Sequence, residues 1–112
     1  MTLNHIICGE SAQVLSKYKS ECIDLLVTDP SYLVRNKDRF GRTIANDDSP
    51  EAVLSLFDQL YRVLKPNNYC TSFYGWNAIA EFSEAWKKAG FKTVGQIFWM
   101  KSYASRKGHT RY

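Results

Sequence analysis

Asp29-Pro30-Ser31-Tyr32 is the stretch of this 112-residue chain whose residue types could do chemistry. A carboxylate, a rigid imino acid, a small residue and an aromatic ring come in a row, directly after the apolar run Ile23 to Thr28. That run reads as a buried β-strand, so the four residues sit where a strand ends. Strand ends are where open α/β sheets hold their ligands. Asp29 offers acceptor oxygens, Pro30 has the fixed φ that aims a carbonyl, and Tyr32 offers a flat face. The same four residues also suit a plain turn, with Pro30 as punctuation and Asp29 bonding locally.

The elements that must position this tetrapeptide read as β-α-β-loop-α-β-α-β. A first strand is expected over Asn4 to Cys8, a short helix over Ser11 to Tyr18, and a second strand over Ile23 to Thr28. The second helix has the clearest signals: Asp48 or Ser49 as cap, Pro50 in the first turn and Glu51 against the dipole. Val53, Leu56, Phe57, Leu60 and Leu64 recur on one face of it, and Pro66-Asn67-Asn68 stops it. Tyr69 to Tyr74 reads as a third strand. A third helix runs from Asn77 to Ala89, with Ile79, Phe82 and Trp86 on one face and Gly90 as its stop. Phe91 to Met100 reads as a fourth strand. Alternation of strands and helices predicts an α/β fold with a mostly parallel sheet.

The residues in this order resemble a known family. Ile6-Ile7-Cys8-Gly9-Glu10, the helix after it and Ile23-Asp24-Leu25-Leu26-Val27-Thr28-Asp29-Pro30 are similar to the opening of the β-class DNA amino-methyltransferases. Arg62-Val63-Leu64-Lys65-Pro66, Phe73-Tyr74-Gly75-Trp76, Ala89-Gly90-Phe91 and Phe98-Trp99-Met100-Lys101 continue the likeness across nearly the whole chain. The tetrapeptide resembles the family's (D/N/S)-P-P-Y motif, with Ser31 in place of the second proline. The family's Gly-Asp is Gly9-Glu10 here, one methylene longer.

The resemblance implies a Rossmann-like methyltransferase half-sheet and S-adenosylmethionine as methyl donor. It implies transfer to the exocyclic amine of a DNA base. That amine is a poor nucleophile because its lone pair is delocalised into the ring. Asp29 and the Pro30 carbonyl would accept its protons and favour a pyramidal nitrogen, Ser31 would keep the turn small, and Tyr32 would stack on the displaced base. Alignment and electrostatics matter more here than a strong base. Gly9, Glu10 and Asp29 are the implied cofactor contacts. An Asp-type motif favours adenine-N6 over the alternative, cytosine-N4. A noncatalytic fragment that binds nucleic acid or a partner chain is the alternative of another class.

The family also implies a later cofactor half with a D-P-F-x-G-x-G-type loop. None of the six glycines forms a G-x-G pair with another. Residues 1–112 are therefore expected to be a single partial domain, the target-base half, inactive by itself. Its bare sheet edge invites self-association. No apolar run is long enough for a membrane helix, and Met1-Thr2-Leu3-Asn4-His5 does not read as a signal peptide. Cys8, Cys22 and Cys70 lack metal-ligand spacing and adjoin apolar runs. They read as reduced, buried thiols, which points to the cytoplasm and to no bound metal. Tyr74 and Trp76 are expected in core or rim packing, or as a wall of the base pocket. The long stretch 33–48 reads as a mobile segment, of the kind that forms lids or stays disordered, that orders on DNA or cofactor.

Charge is unevenly placed along a chain of formal net charge +4. Lys87, Lys88, Lys92, Lys101, Arg106, Lys107 and Arg111 fall in a C-terminal stretch without a single acid, and Arg35, Lys37, Arg39 and Arg42 follow the tetrapeptide. A displaced base needs phosphate contacts around it, so DNA is the expected partner. Arg35, Lys37, Arg39, Arg42, Lys101, Arg106, Lys107 and Arg111 are the candidate contacts. In the complete enzyme, neutralising Arg106, Lys107 and Arg111 together should flatten the plot of log affinity against log salt by roughly 0.9 for each lost contact. An unchanged slope in a correctly folded triple variant would show that these residues do not touch phosphate.

Overall fold

The computed structural model describes residues 3–30 and 50–102. Its elements in chain order are α1 (Ser11–Leu15), β1 (Leu26–Thr28), α2 (Pro50–Val63), β2 (Cys70–Ser72), a 3-10 turn (Trp76–Ala78) and α3 (Ile79–Ala89). The two strands lie parallel, with Leu26 opposite Cys70 and Thr28 opposite Ser72. This is a small α/β unit with a two-stranded parallel sheet and flanking helices, consistent with a Rossmann-like half-sheet.

α2 forms because its apolar residues recur at helical spacing, and it persists because that face is covered. Val53, Phe57 and Leu60 are buried, and Val63 and Leu64 close its C-terminal end. Ala78, Phe82 and Ala85 meet them from the other side, so α2 and α3 share one core. Phe57 sits at its centre. Its ring meets Phe82, Trp86 and Phe91 edge-on at centroid distances of 6.4, 6.1 and 6.4 Å, the geometry that aromatic quadrupoles favour. Leu26 of β1 and Tyr74 after β2 pack against the same cluster.

Helix α3 ends as its sequence predicts. Gly90 takes the left-handed conformation at φ 117°, the Gly90 N–H donates to the Lys87 carbonyl at 3.1 Å, and the Phe91 N–H to the Trp86 carbonyl at 3.0 Å. These two bonds make a Schellman closure, which turns Phe91 back onto Phe57 and Tyr61.

Four expectations are corrected. Asn4 to Cys8 and Phe91 to Met100 form no strand, for a ladder needs a neighbour and β1 pairs only with β2 among the described residues. Their apolar side chains stay in solvent: Ile6 is 95% exposed and Met100 88%. The first helix stops at Leu15 rather than Tyr18. Cys8 is exposed rather than buried, because the segment carrying it is not zipped into the sheet. Cys70 is half-buried in β2, and burial pushes its thiol up to about 11. The proposed caps Asp48 and Ser49 and the stretch 33–48 lie outside the described residues.

Gly90→Ala should lower stability by about 1–2 kcal/mol or more. A left-handed residue with a Cβ costs about that much, and the added carbon would stand 2.8 Å from the Tyr61 ring. Chemical denaturation of the variant checks it, and unchanged stability would contradict this account of the helix end.

Candidate functional site

β1 carries the chain to Asp29. The Leu26 N–H donates to the Tyr69 carbonyl at 3.2 Å and the Phe73 N–H to the Thr28 carbonyl at 3.0 Å, so the strand is held against β2 at both ends. At its entry the carboxylate of Asp24 accepts from the Lys65 ammonium at 2.6 Å. That hydrogen bond and charge hold the lysine above its ordinary range. Asn68 donates to the Asp24 carbonyl at 2.8 Å. Asp29 follows Thr28 at the C-terminal end of the strand and is exposed, with Pro30 half-buried beside it.

An open hollow of about 290 Å³ lies next to this strand end. Val27 and Thr28 of β1, Gly9 and Ser11 around the start of α1, and Leu56 and Leu60 of α2 are among the residues that line it. Gly9 suits its position because a Cβ there would stand 2.9 Å from Val14 Cγ2. The structure thus brings one predicted cofactor residue, Gly9, to the same hollow as the two residues that precede Asp29.

Glu10 has a defined task. Its carboxylate accepts from the Ala12 N–H at 3.3 Å and the Gln13 N–H at 2.9 Å. It is the N-cap of α1, and its carboxylate takes two of the first-turn N–H groups that have no partner within the helix. Lys101 is exposed at the far end of the segment after α3. Ser31, Tyr32, Arg35, Lys37, Arg39, Arg42, Arg106, Lys107 and Arg111 lie outside the described residues. Tyr74 packs on Phe82 and Trp86 as part of the core, whereas Trp76 is 84% exposed.

Sequence reasoning missed Arg62. This side chain, in the last turn of α2, reaches across to the end of α1 with donors to the Leu15 carbonyl at 2.7 Å and the Tyr18 carbonyl at 2.8 Å. A signal existed in the sequence: a lone arginine inside an apolar run with Gln59 one helical turn before it. Gln59 Oε1 accepts from its Nε at 2.9 Å. His5 also borders the hollow, a placement its isolation in sequence did not suggest. Among the described residues no cluster of His, Cys, Asp or Glu is placed to hold a metal, and no helix is long and apolar enough to cross a membrane.

A parallel strand whose last residues, Val27 and Thr28, line a hollow just before an acid and a proline matches where open α/β sheets hold a ligand. The comparisons point the same way. The chain is 39% identical over 110 residues, 98% of its length, to a protein of Escherichia coli (strain K12) named "Putative methylase YubD". It spans about half of that protein, 48% of its length. No protein-family model matches the chain, and no solved structure does.

The cap predicts a specific loss. Glu10→Ala should destabilise the chain by about 1 kcal/mol, the usual cost of removing an N-cap acceptor. Glu10→Asp keeps a carboxylate and should lose less. Urea denaturation of both variants measures the difference, and equal stability of Glu10→Ala and the parent would show that the capping bonds carry no weight.

Proposed function

We propose that this chain is the target-base half of an S-adenosylmethionine-dependent DNA adenine-N6 methyltransferase. The observation that carries the reading is the position of Asp29-Pro30. They directly follow Val27 and Thr28, the strand-end residues that line a hollow together with Gly9. The similarity to a protein named as a methylase supports it, and so does the tetrapeptide's match to the amino-methyltransferase motif.

The hollow's volume of about 290 Å³ falls just below the range of ligand pockets, about 300–1,000 Å³. Its mixed lining, with Ser11 and Thr28 among apolar side chains, suits the adenosyl part of the cofactor. Bound there, S-adenosylmethionine would supply an electrophilic methyl group. The chain's own residues would prepare the acceptor. Asp29 and the Pro30 carbonyl would take the two amine protons as hydrogen bonds and free the nitrogen lone pair. Tyr32 would hold the base flat by stacking, worth about 1–3 kcal/mol. The basic residues around Arg35 to Arg42 and Lys101 to Arg111 would hold the phosphates on either side.

In the complete enzyme that carries this chain, Asp29→Ala should cut methyl transfer to DNA by about a hundredfold or more and leave the melting temperature near that of the parent. Labelled-methyl incorporation, followed by nucleoside analysis, reads both rate and product. N6-methyladenine as product with a dead Asp29→Ala supports the proposal. N4-methylcytosine would move the assignment to the other base, and parental turnover in Asp29→Ala would refute it.

A further inference from the structure

We propose that Arg62 is a positioning residue for cofactor binding, acting through α1. The proposal rests on the reading of the hollow as the cofactor side of a methyltransferase. α1 is a five-residue helix, Ser11–Leu15, and an isolated helix far shorter than about 12–15 residues does not hold itself together in water. Its first turn is capped by Glu10. Its other end is held from outside. The Arg62 guanidinium donates to the Leu15 carbonyl at 2.7 Å, to the Tyr18 carbonyl at 2.8 Å and to Ser20 Oγ at 3.2 Å. Gln59 Oε1 fixes the plane of the fork by accepting from Nε at 2.9 Å.

The backbone carbonyls of Arg62 and of Val63 next to it complete the clamp. The Glu21 N–H donates to the Arg62 carbonyl at 2.9 Å, and the Cys22 and Ile23 N–H groups to the Val63 carbonyl at 2.8 and 2.9 Å. Glu21 takes a left-handed φ of 55° at this turn, a conformation that is costly for a residue with a Cβ and is held by these bonds. Two adjacent positions at the end of α2, Arg62 and Val63, therefore tie down α1, the turn after it and the approach to β1. Gly9 and Ser11 line the hollow from the start of α1, and Leu15 and Tyr18, whose carbonyls Arg62 holds, line it too. Loss of the clamp frees that wall and leaves the α2–α3 core intact.

Lysine cannot replace the arginine. A single ammonium cannot span two carbonyls, a hydroxyl and a side-chain amide in one plane. Arg62→Lys therefore separates charge from geometry. In the 112-residue chain, hydrogen exchange at the Val14, Ser16 and Tyr18 amides should accelerate at least about tenfold in Arg62→Lys, while α3 amides keep their protection. In the complete enzyme, KM for S-adenosylmethionine should rise about tenfold to a hundredfold, because small misplacements of a binding wall cost that much, with kcat changing far less. Gln59→Leu, which removes only the partner of Nε, should move both readouts in the same direction and serves if Arg62→Lys fails to fold. Ala85→Gly, a core change away from α1, should lower the melting temperature without altering KM.

Unchanged α1 protection in Arg62→Lys and Gln59→Leu overturns the clamp. Faster exchange with unchanged KM overturns the positioning role and leaves the methyltransferase reading standing. Absence of S-adenosylmethionine binding by the parent enzyme sinks that reading together with the positioning role.

Discussion

Burial of the apolar face of α2 is the constraint on which the rest of the structure depends. Phe57 and Val63 on that face are almost fully removed from solvent, as is Phe82 of α3. Removing a buried phenylalanine from such a position costs about 3–5 kcal/mol, a large part of the margin of a small domain. Neither α1 nor the three-residue strands have an apolar face of comparable size. They hold their places because α2 holds its own.

The constraint reaches the strand end through the C-terminal turn of α2. The Arg62 and Val63 carbonyls take the N–H groups of residues 21–23, and the Lys65 N–H returns a bond to the Ile23 carbonyl at 2.9 Å. This exchange sets the depth at which the chain enters β1. From there the parallel register with β2 carries it straight to Asp29. The hollow is lined by these same parts: α2, β1 and the start of α1.

Segments outside the sheet leave apolar surface in solvent. Ile97, Phe98, Trp99 and Met100 are each more than three-quarters exposed, and so is Ile6 at 95%. These residues have strand composition without a strand's partner. Their exposure follows from hydrogen bonding rather than hydrophobicity. An extended segment without a ladder keeps its backbone polar groups in water, and its side chains stay there with them.

Helices α2 and α3 were legible in the sequence because their signals are local. Spacing of Val53, Phe57 and Leu60 marks a face within one segment, and Gly90 ends a helix by its own conformational freedom. The strand-end position of Asp29 was legible for the same reason: a short apolar run followed by Asp-Pro is a local pattern. What the sequence could not decide was which extended segments find a neighbour. Residues 4–8 and 91–100 have the composition of strands as clearly as Leu26–Thr28, yet pairing depends on a second segment brought alongside. The Arg62 clamp was hidden for a related reason. Its partners Leu15 and Tyr18 lie 47 and 44 positions away and are backbone carbonyls, which every residue possesses. No side-chain pattern can announce them, and only the packing of α2 against α1 chooses which two they are.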